Sequence, residues 1–231
     1  GIDNPQFLQI GQELIIPIGD DEAGPIPGLL LPTATPLPLV IQGVAFYETP
    51  VGSLWCLGEI VNTTDLTLAN AQVYVALFDA SGGLLVEASA FAAAEAIPPG
   101  ERSPFGILFT SPPPDWANSQ VTIMRGEAAG PLAASYVSMA VAETEGQPAG
   151  PQLQVGGIVQ NTSPDQTAGS VDVIVTTYDT EGMVTAFRQV PVEIAGALAP
   201  GSTAPFTIRL NSHGAFPADF GAIAIGHISS E

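Results

Sequence analysis

The feature that most constrains the fold is an internal repeat of roughly 95 residues that begins at Leu39. The matched blocks, first copy before second, are Val44–Thr49 with Met139–Thr144 (139 − 44, an offset of 95), Gly58–Thr63 with Gly156–Thr162 (one residue inserted), Val75–Gly82 with Val175–Gly182, and Pro99–Phe105 with Pro200–Phe206. The offset changes mainly between blocks, as expected when strands are kept and loops change length. We therefore predict a tandem duplication, with domains at residues 39–130 and 131–231.

Each copy alternates short stretches rich in Val, Ile, Thr, Phe and Tyr with turns rich in Gly, Pro and Asp. This spacing predicts an all-β fold built from β-sandwiches. The Asp79-x-x-Gly82 and Asp179-x-x-Gly182 segments predict hairpin turns, in which the Asp side chain accepts from backbone N–H groups and Gly adopts a positive φ.

These blocks resemble the FxLYD family of bacterial immunoglobulin-like domains. That family carries a Gly-x-Val-x-Asn strand, a Leu-Tyr-Asp-x-x-Gly turn and a Pro-Gly…Pro-Phe block in this order. The first copy departs from the pattern with Phe78 in place of the tyrosine, and the second with Thr177 in place of the leucine. The resemblance implies two tandem immunoglobulin-like β-sandwich domains, an extracytoplasmic location and no catalytic residues.

Residues 1–18 resemble the C-terminal third of a LysM module, with Asn4-Pro5, Gly11-Gln12 and a closing strand Leu14–Ile16 before Pro17. LysM modules are βααβ units that bind N-acetylglucosamine polymers, but here the first strand and most of both helices are missing, so we do not carry over glycan binding. A strand without its partner exposes backbone N–H and C=O groups and must pair elsewhere. We therefore predict an assembly arm that adds to a sheet edge of the next copy, with an alternative in which it folds back onto its own domain. The residues expected to fill the acceptor groove are Phe7, Ile10, Leu14, Ile15 and Ile16.

Residues 19–38 form a predicted linker with five prolines and three glycines. Proline fixes φ and removes backbone donors, so we expect an extended, semi-rigid segment. Its last part, from Leu29 into Val40, is a second candidate for the added strand.

The charge balance excludes several classes of function. The chain has 4 Lys+Arg against 23 Asp+Glu, a net charge of −19, and contains no lysine. Nucleic-acid binding needs clustered Lys and Arg, and anionic lipid surfaces repel such a chain. Schiff-base and P-loop chemistry both need lysine. No apolar run reaches the roughly 18 residues that a membrane helix needs.

The apolar content is high for so few charges: 46% of residues are hydrophobic and the mean hydropathy is +0.34. One explanation is that other copies or a partner cover much of the surface; the other is a large core with small surface residues. Both faces of the strand Val73–Phe78 are apolar, whereas a strand with one wet face alternates. We expect its second face to be covered by the neighbouring domain, another subunit or the arm, unless the packing is ordinary.

The candidate site residues all have simple structural interpretations. Cys56 is expected to be a small buried hydrophobe, or else to form an intermolecular disulfide. Asn62 and Asn161 lie in glycosylation sequons at the same strand end of the two copies, although asparagine also suits a turn there. His213 and His227 lack the partners of a metal site, and Trp116 is either part of a stiff turn or a protruding sugar-stacking residue. We expect no catalytic residue, no metal and no cofactor.

We therefore expect an extracellular or cell-surface structural protein rather than an enzyme. Head-to-tail contacts and the exchanged arm would join copies of the chain into a filament or sheath, because an open heterologous contact generates filaments. The alternative is a secreted adhesion or cell-wall glycan-binding module. Nucleic acid and membrane insertion are excluded as partners.

Overall fold

In a computed structural model, residues 39–228 are described and belong to one compact unit. Nearly all of their regular structure is strand, which confirms the predicted all-β class. The strands are β1 (Leu39–Glu48), β2 (Leu54–Asn62), β3 (Leu68–Phe78), β4 (Leu84–Phe91), β5 (Ala96–Ile97), β6 (Arg102–Phe109), β7 (Asn118–Ala128), β8 (Tyr136–Val137), β9 (Met139–Ala149), β10 (Gln152–Asn161), β11 (Ala168–Tyr178), β12 (Val184–Pro191), β13 (Thr203–Leu210) and β14 (Asp219–Ile228), with a 3-10 helix at Gly130–Ser135 between β7 and β8. The predicted arm and the whole predicted linker, residues 1–38, lie outside the described residues.

The first sandwich consists of two antiparallel sheets. One has the order β1-β2-β6; in the other, β3 lies between β7 on one side and β4 and β5 on the other. The inward-facing side chains form one buried cluster that includes Ile60, Val73, Val75, Leu77 and Phe105.

The second sandwich repeats this arrangement, with one sheet in the order β9-β10-β13 and the other in the order β12-β11-β14-β8. Its buried cluster includes Val155, Val159, Val173, Val175 and Phe206. The short strand β8 has no counterpart among the described residues of the first sandwich, because the equivalent positions precede Leu39.

A glycine beneath a phenylalanine ring explains the glycine of the repeated β2 and β10 motif. Gly58 is paired with Phe105, and Gly157 with Phe206. A Cβ at Gly58 would lie 2.6 Å from Phe105 Cζ, and one at Gly157 would lie 2.8 Å from Phe206 Cε1. Only glycine lets the ring cross the strand, so both copies keep it.

The first strand shows that one predicted alignment was wrong. Leu39 is paired with Asn62 and Met139 with Asn161, so these strands correspond at an offset of 100 (139 − 39) rather than 95. Each strand then has a bulge with a left-handed residue, Gly43 (φ 61°) and Glu143 (φ 52°). The predicted alignment of the two first strands was displaced by five residues. It rested on a shared Ala-x-x-Glu-Thr pattern, and such a pattern does not reveal a bulge.

The predicted hairpin turns are confirmed. Asp79 Oδ1 accepts from the N–H groups of Ser81 and Gly83, both at 2.8 Å. Asp179 Oδ1 accepts in the same way from Glu181 and Met183, both at 2.9 Å. Gly82 and Gly182 supply the left-handed residue, with φ of 85° and 79°.

Candidate functional site at the junction of the two sandwiches

The two sandwiches meet through the outer faces of two sheets, β1-β2-β6 of the first and β12-β11-β14 of the second. On β2, Leu57 points away from its own core but is only 3% exposed, and Ile174 on β11 is 1% exposed for the same reason. A Cβ at Gly106 would lie 3.0 Å from the Phe187 ring, so this glycine makes room for the second sandwich. Ile174 and Ile225 belong to the same buried cluster as the core of the first sandwich. The result is a stack of four sheets.

A polar cluster lies within this apolar junction. The Tyr178 hydroxyl donates to Glu59 Oε1 at 2.6 Å, and Arg102 Nη1 lies 3.6 Å from Glu59 Oε2. Glu59 is 1% exposed, whereas half of the Arg102 side chain reaches solvent. Burial, and then the hydrogen bond to Glu59, raise the pKa of Tyr178, which keeps the phenol a donor. A buried carboxylate is tolerated only with such partners, so the cluster fixes one position of the sandwiches relative to each other.

An aromatic contact closes another part of the junction. The ring of His213, in the loop after β13, lies 5.5 Å from Tyr47 and 6.0 Å from Trp55, centroid to centroid. Burial lowers the pKa of His213, so the neutral ring is favoured. His213 is therefore a packing residue between the sandwiches, and His227 packs on Tyr136 with centroids 5.2 Å apart. Within residues 39–228, no group of three or more His, Cys, Asp or Glu side chains is arranged to hold a metal ion.

A trough follows the junction along one edge of β14. It consists of two adjoining cavities of about 610 and 320 Å³ that share Glu101, Arg102, Ala222 and Ile223. Consecutive residues 219–226 of β14 line it, so its wall is the edge of the strand. The strand β8 occupies that edge only at Gly226 and His227. Elsewhere the edge has no strand partner among residues 39–228, and the β5–β6 turn at Pro98 and Pro99 forms the facing wall.

The structure places both candidate glycosylation asparagines in the core. Asn62 and Asn161 are each 0% exposed. Asn62 Nδ2 donates to the carbonyls of Leu66 and Ile97, both at 2.8 Å. Asn161 Nδ2 donates to the carbonyls of Gln166 (2.8 Å) and Leu198 (2.9 Å) in the same way.

Both hydrogens of each amide nitrogen are therefore used, and no space remains for a sugar in the folded chain. The glycosylation hypothesis is corrected in favour of the turn alternative: each asparagine ties the end of β2 or β10 to the turns around it. Thr64 and Ser163, the third residues of the two sequons, donate their N–H groups back to the asparagine Oδ1, both at 2.9 Å.

Cys56 and Trp116 also prove to be packing residues. Cys56 is 0% exposed, and burial raises its pKa to about 12, so the thiol is inaccessible and protonated. Trp116 packs on Phe46, with ring centroids 5.5 Å apart, at the border of the first core. It does not protrude as a sugar platform. The five arm residues (Phe7, Ile10, Leu14, Ile15 and Ile16) lie outside the described residues.

We call the outer face of the β4-β3-β7 sheet the open face. Its counterpart in the second sandwich is the outer face of the β12-β11-β14 sheet, which is buried at the junction. The apolar side chains of the open face include Leu84 (53% exposed), Phe91 (57%) and Met124 (62%). Val184, the equivalent of Leu84, is 0% exposed and would contact a Cβ at Gly43 at 3.3 Å. The neighbouring domain therefore covers this face in the second copy and leaves it uncovered in the first.

Sequence reasoning missed the Glu59–Tyr178–Arg102 cluster. Its one signal is a single acidic residue inside the otherwise apolar strand LWCLGEIVN. The sequence does not show which outer faces meet, so Glu59 looks like an ordinary solvent-facing residue of β2.

Comparison with known proteins adds little to this description. No family model and no curated protein matches the chain. Among solved structures, it is similar to the exo-β-D-glucosaminidase CsxA (16% identity, TM-score 0.24, 76% of this chain and 24% of that one). It is also similar to the Amycolatopsis orientalis exo-chitosanase CsxA (15%, 0.24, 76% and 24%) and to red sea bream transglutaminase (10%, 0.24, 82% and 32%).

The chain thus spans about a quarter to a third of the length of these structures. In the part of the chain that the structure describes, no helix is long and apolar enough to cross a membrane.

Proposed function

We propose that the chain is an extracellular or cell-surface structural protein, made of two tandem immunoglobulin-like domains, that assembles with other copies of itself into a filament or sheath. Head-to-tail contacts and exchange of the N-terminal arm hold the copies together. The location rests on the family resemblance of the repeated blocks, and the assembly rests on the surfaces described below.

The observation that carries the proposal is the open face. Its counterpart in the second copy is a docking face, buried by a whole sheet of the first sandwich. The open face has the same strand order and exposes Leu84, Phe91 and Met124. Leu84 and Phe91 lie at the two ends of β4, with Glu87 and Ser89 between them on the same face. Large apolar side chains exposed on a sheet face, with polar groups among them, favour contact with another protein.

The junction supports the proposal in a second way. Its buried apolar residues and the enclosed Glu59–Tyr178 hydrogen bond resemble the interior of one domain more than a hinge between two. A filament subunit benefits from such a rigid block, because a heterologous contact propagates only when each subunit presents its two contact surfaces in a constant orientation.

Negative-stain electron microscopy beside light scattering of the purified full chain, over a range of concentrations, tests the proposal. We expect regular fibres and a mass that grows with concentration. The double variant Leu84→Glu/Met124→Glu, with both changes on the open face, should reduce assembly. Its two carboxylates oppose burial of that face. The matched control is Val51→Glu, at an apolar position that is 86% exposed in the β1–β2 turn.

A monomer at every concentration would overturn the proposal. Equal loss of assembly in the control would show that added charge, and not the open face, is responsible. Binding of the monomer to chitin or peptidoglycan fragments would favour the glycan-binding alternative instead.

A further inference from the structure

We propose that the trough along β14 is the acceptor for the N-terminal arm of the next copy, with the segment Phe7–Pro17 added as a strand to the uncovered edge of β14. This inference rests on the proposed function, since it assigns the place where one copy holds another. The occupant is a segment of this same chain, supplied by a second molecule.

The backbone of β14 provides the chemistry of the site. One edge of β14 pairs with β11 from Asp219 to Ile228, and the other edge pairs with β8 only at Gly226 and His227. Every second residue of β14 before Gly226 directs its N–H and C=O groups to that second edge, which forms the wall of the trough. A strand edge of this kind recognises an extended peptide through main-chain hydrogen bonds, with neighbouring pockets selecting its side chains. Because β8 already pairs there, an added strand would continue an existing line of pairing.

The walls of the trough suit an apolar segment with one acidic residue. Ile97, Met139 and Ile223 line it, and Pro98 and Pro99 add further apolar surface. The half-exposed guanidinium of Arg102 lies in both cavities and has donors beyond those used by Glu59. In the arm, Glu13 stands directly before Leu14, Ile15 and Ile16. The aliphatic side chains of the arm therefore match the apolar walls. Arg102 is the one cationic side chain that lines the trough, beside Glu101 and Asp219, so any ion pair of Glu13 would be with this arginine.

The length of chain before the first strand allows the exchange. Leu39 is paired with Asn62, and the main chain of Asn62 hydrogen-bonds to Gly100 and Glu101 beside the trough. The twenty residues 19–38 contain five prolines and, when extended, span up to about 60 Å. That reach is sufficient for the arm of one block to enter the trough of a neighbour.

Disulfide trapping in the full chain tests this proposal. The trapping variants combine Ile15→Cys with Pro99→Cys, or Ile15→Cys with Ala133→Cys, both partners being exposed residues that line the trough. The matched control combines Ile15→Cys with Val51→Cys, at the opposite end of the first sandwich. After mild oxidation, non-reducing gels and mass spectrometry identify which cysteines are joined. Native Cys56 is buried and serves as an internal check that the fold is intact.

We expect both trapping variants to give a ladder of covalent multimers with an Ile15→Cys to trough linkage, and the control to stay mostly monomeric. A linkage within one chain would overturn exchange between copies, because the arm would then fill its own trough. Fibres without a trough linkage in either variant would overturn the acceptor site while leaving the proposed function in place. No fibres and no multimers would overturn both.

Discussion

The outer faces of the sheets β1-β2-β6 and β9-β10-β13 have the same strand order and register, yet the second sandwich covers part of the first face and the other face is wet. At the position of Leu57, which the junction buries, the second sheet has Gly156, and at the position of Leu108, which is 41% exposed, it has Arg209. Leu57 is 3% exposed in the junction, whereas Arg209 is exposed to solvent.

The difference teaches that a small set of side chains, and not the fold, decides which faces join. Conserving the sandwich needs only the inward-facing residues and the turns, so the outer faces were free to diverge. Polar side chains on the outer faces of β10 and β13 favour contact with water, so this face does not pack against another sheet of the described residues. The buried outer faces of β2 and β11 also account for part of the apolar content, without any second molecule.

We expect the largest loss of stability when a residue from the wet outer face of β9 replaces its counterpart on the buried outer face of β1. Gly43 corresponds to Glu143 at the bulge, and both adopt a positive φ. In Gly43→Glu the new Cβ would lie 2.9 Å from the Gly182 carbonyl oxygen, and the carboxylate would be forced into the junction. We expect the free energy of unfolding, measured by urea denaturation, to fall by about 3 kcal/mol.

The reverse change provides the control for that experiment. Glu143 is exposed and has a left-handed backbone, which glycine adopts without strain. Glu143→Gly should therefore change stability by less than about 1 kcal/mol. If Gly43→Glu were equally harmless, the junction would not be the tight contact described here.

A double-mutant cycle on the buried cluster should give the next largest effect. At the positions equivalent to Glu59 and Tyr178, the other copy has Ile158 and Phe78. Tyr178→Phe leaves the buried Glu59 without its 2.6 Å donor, at a cost of about 2 kcal/mol. Glu59→Ile removes the acceptor of the Tyr178 hydroxyl and should cost about 1 kcal/mol.

The double variant restores an apolar pair, so it should be more stable than the sum of the single changes implies. We expect a coupling energy of at least about 1 kcal/mol from urea denaturation of the four proteins. Strict additivity would mean that the hydrogen bond does not contribute to the junction.

Much of the fold could be predicted from the sequence because it is encoded locally. The alternating apolar residues and the Asp79 and Asp179 turns each depend on a few neighbouring positions, and these predictions are confirmed. The bulge at Gly43 and Glu143 was missed because its signal is a single backbone conformation, which glutamate rarely adopts.

The site could not be predicted in the same way. Glu59 and Tyr178 are 119 residues apart, and nothing near either of them identifies the other as its partner. For Asn62 and Asn161 the sequence leaves both a glycosylation site and a turn open, and only the tertiary contacts of their side chains show that they serve buried turns. Which outer faces meet depends on the shape of two completed sandwiches, and that information is not local to any segment.

The junction also predicts a pH effect of moderate size. Burial lowers the pKa of His213 below its ordinary value of 6.5, so the folded chain binds fewer protons than the unfolded chain as the pH falls through this range. Stability should therefore decrease from about pH 7.5 to about pH 5, and His213→Phe, which keeps the contacts with Tyr47 and Trp55, should lessen that decrease. Thermal unfolding at the two pH values measures it. His227→Phe is the control and should keep the wild-type dependence; an unchanged profile in His213→Phe would contradict the assignment.

The smallest expected effect is an exchange between the two cores. Cys56 on β2 corresponds to Val155 on β10, and both are 0% exposed. Because the two side chains are similar in size and apolar, Cys56→Val should change the free energy of unfolding by less than about 1 kcal/mol. The native thiol should also resist a disulfide reagent such as DTNB until urea unfolds the chain, since burial raises its pKa to about 12.

A small loss of stability in Cys56→Val, beside a large one in Gly43→Glu, would show that the two copies kept interchangeable interiors and diverged on their outer faces. A large cost, or rapid labelling of the folded chain, would mean instead that the cores have diverged as well and that the contrast between faces is not the main difference.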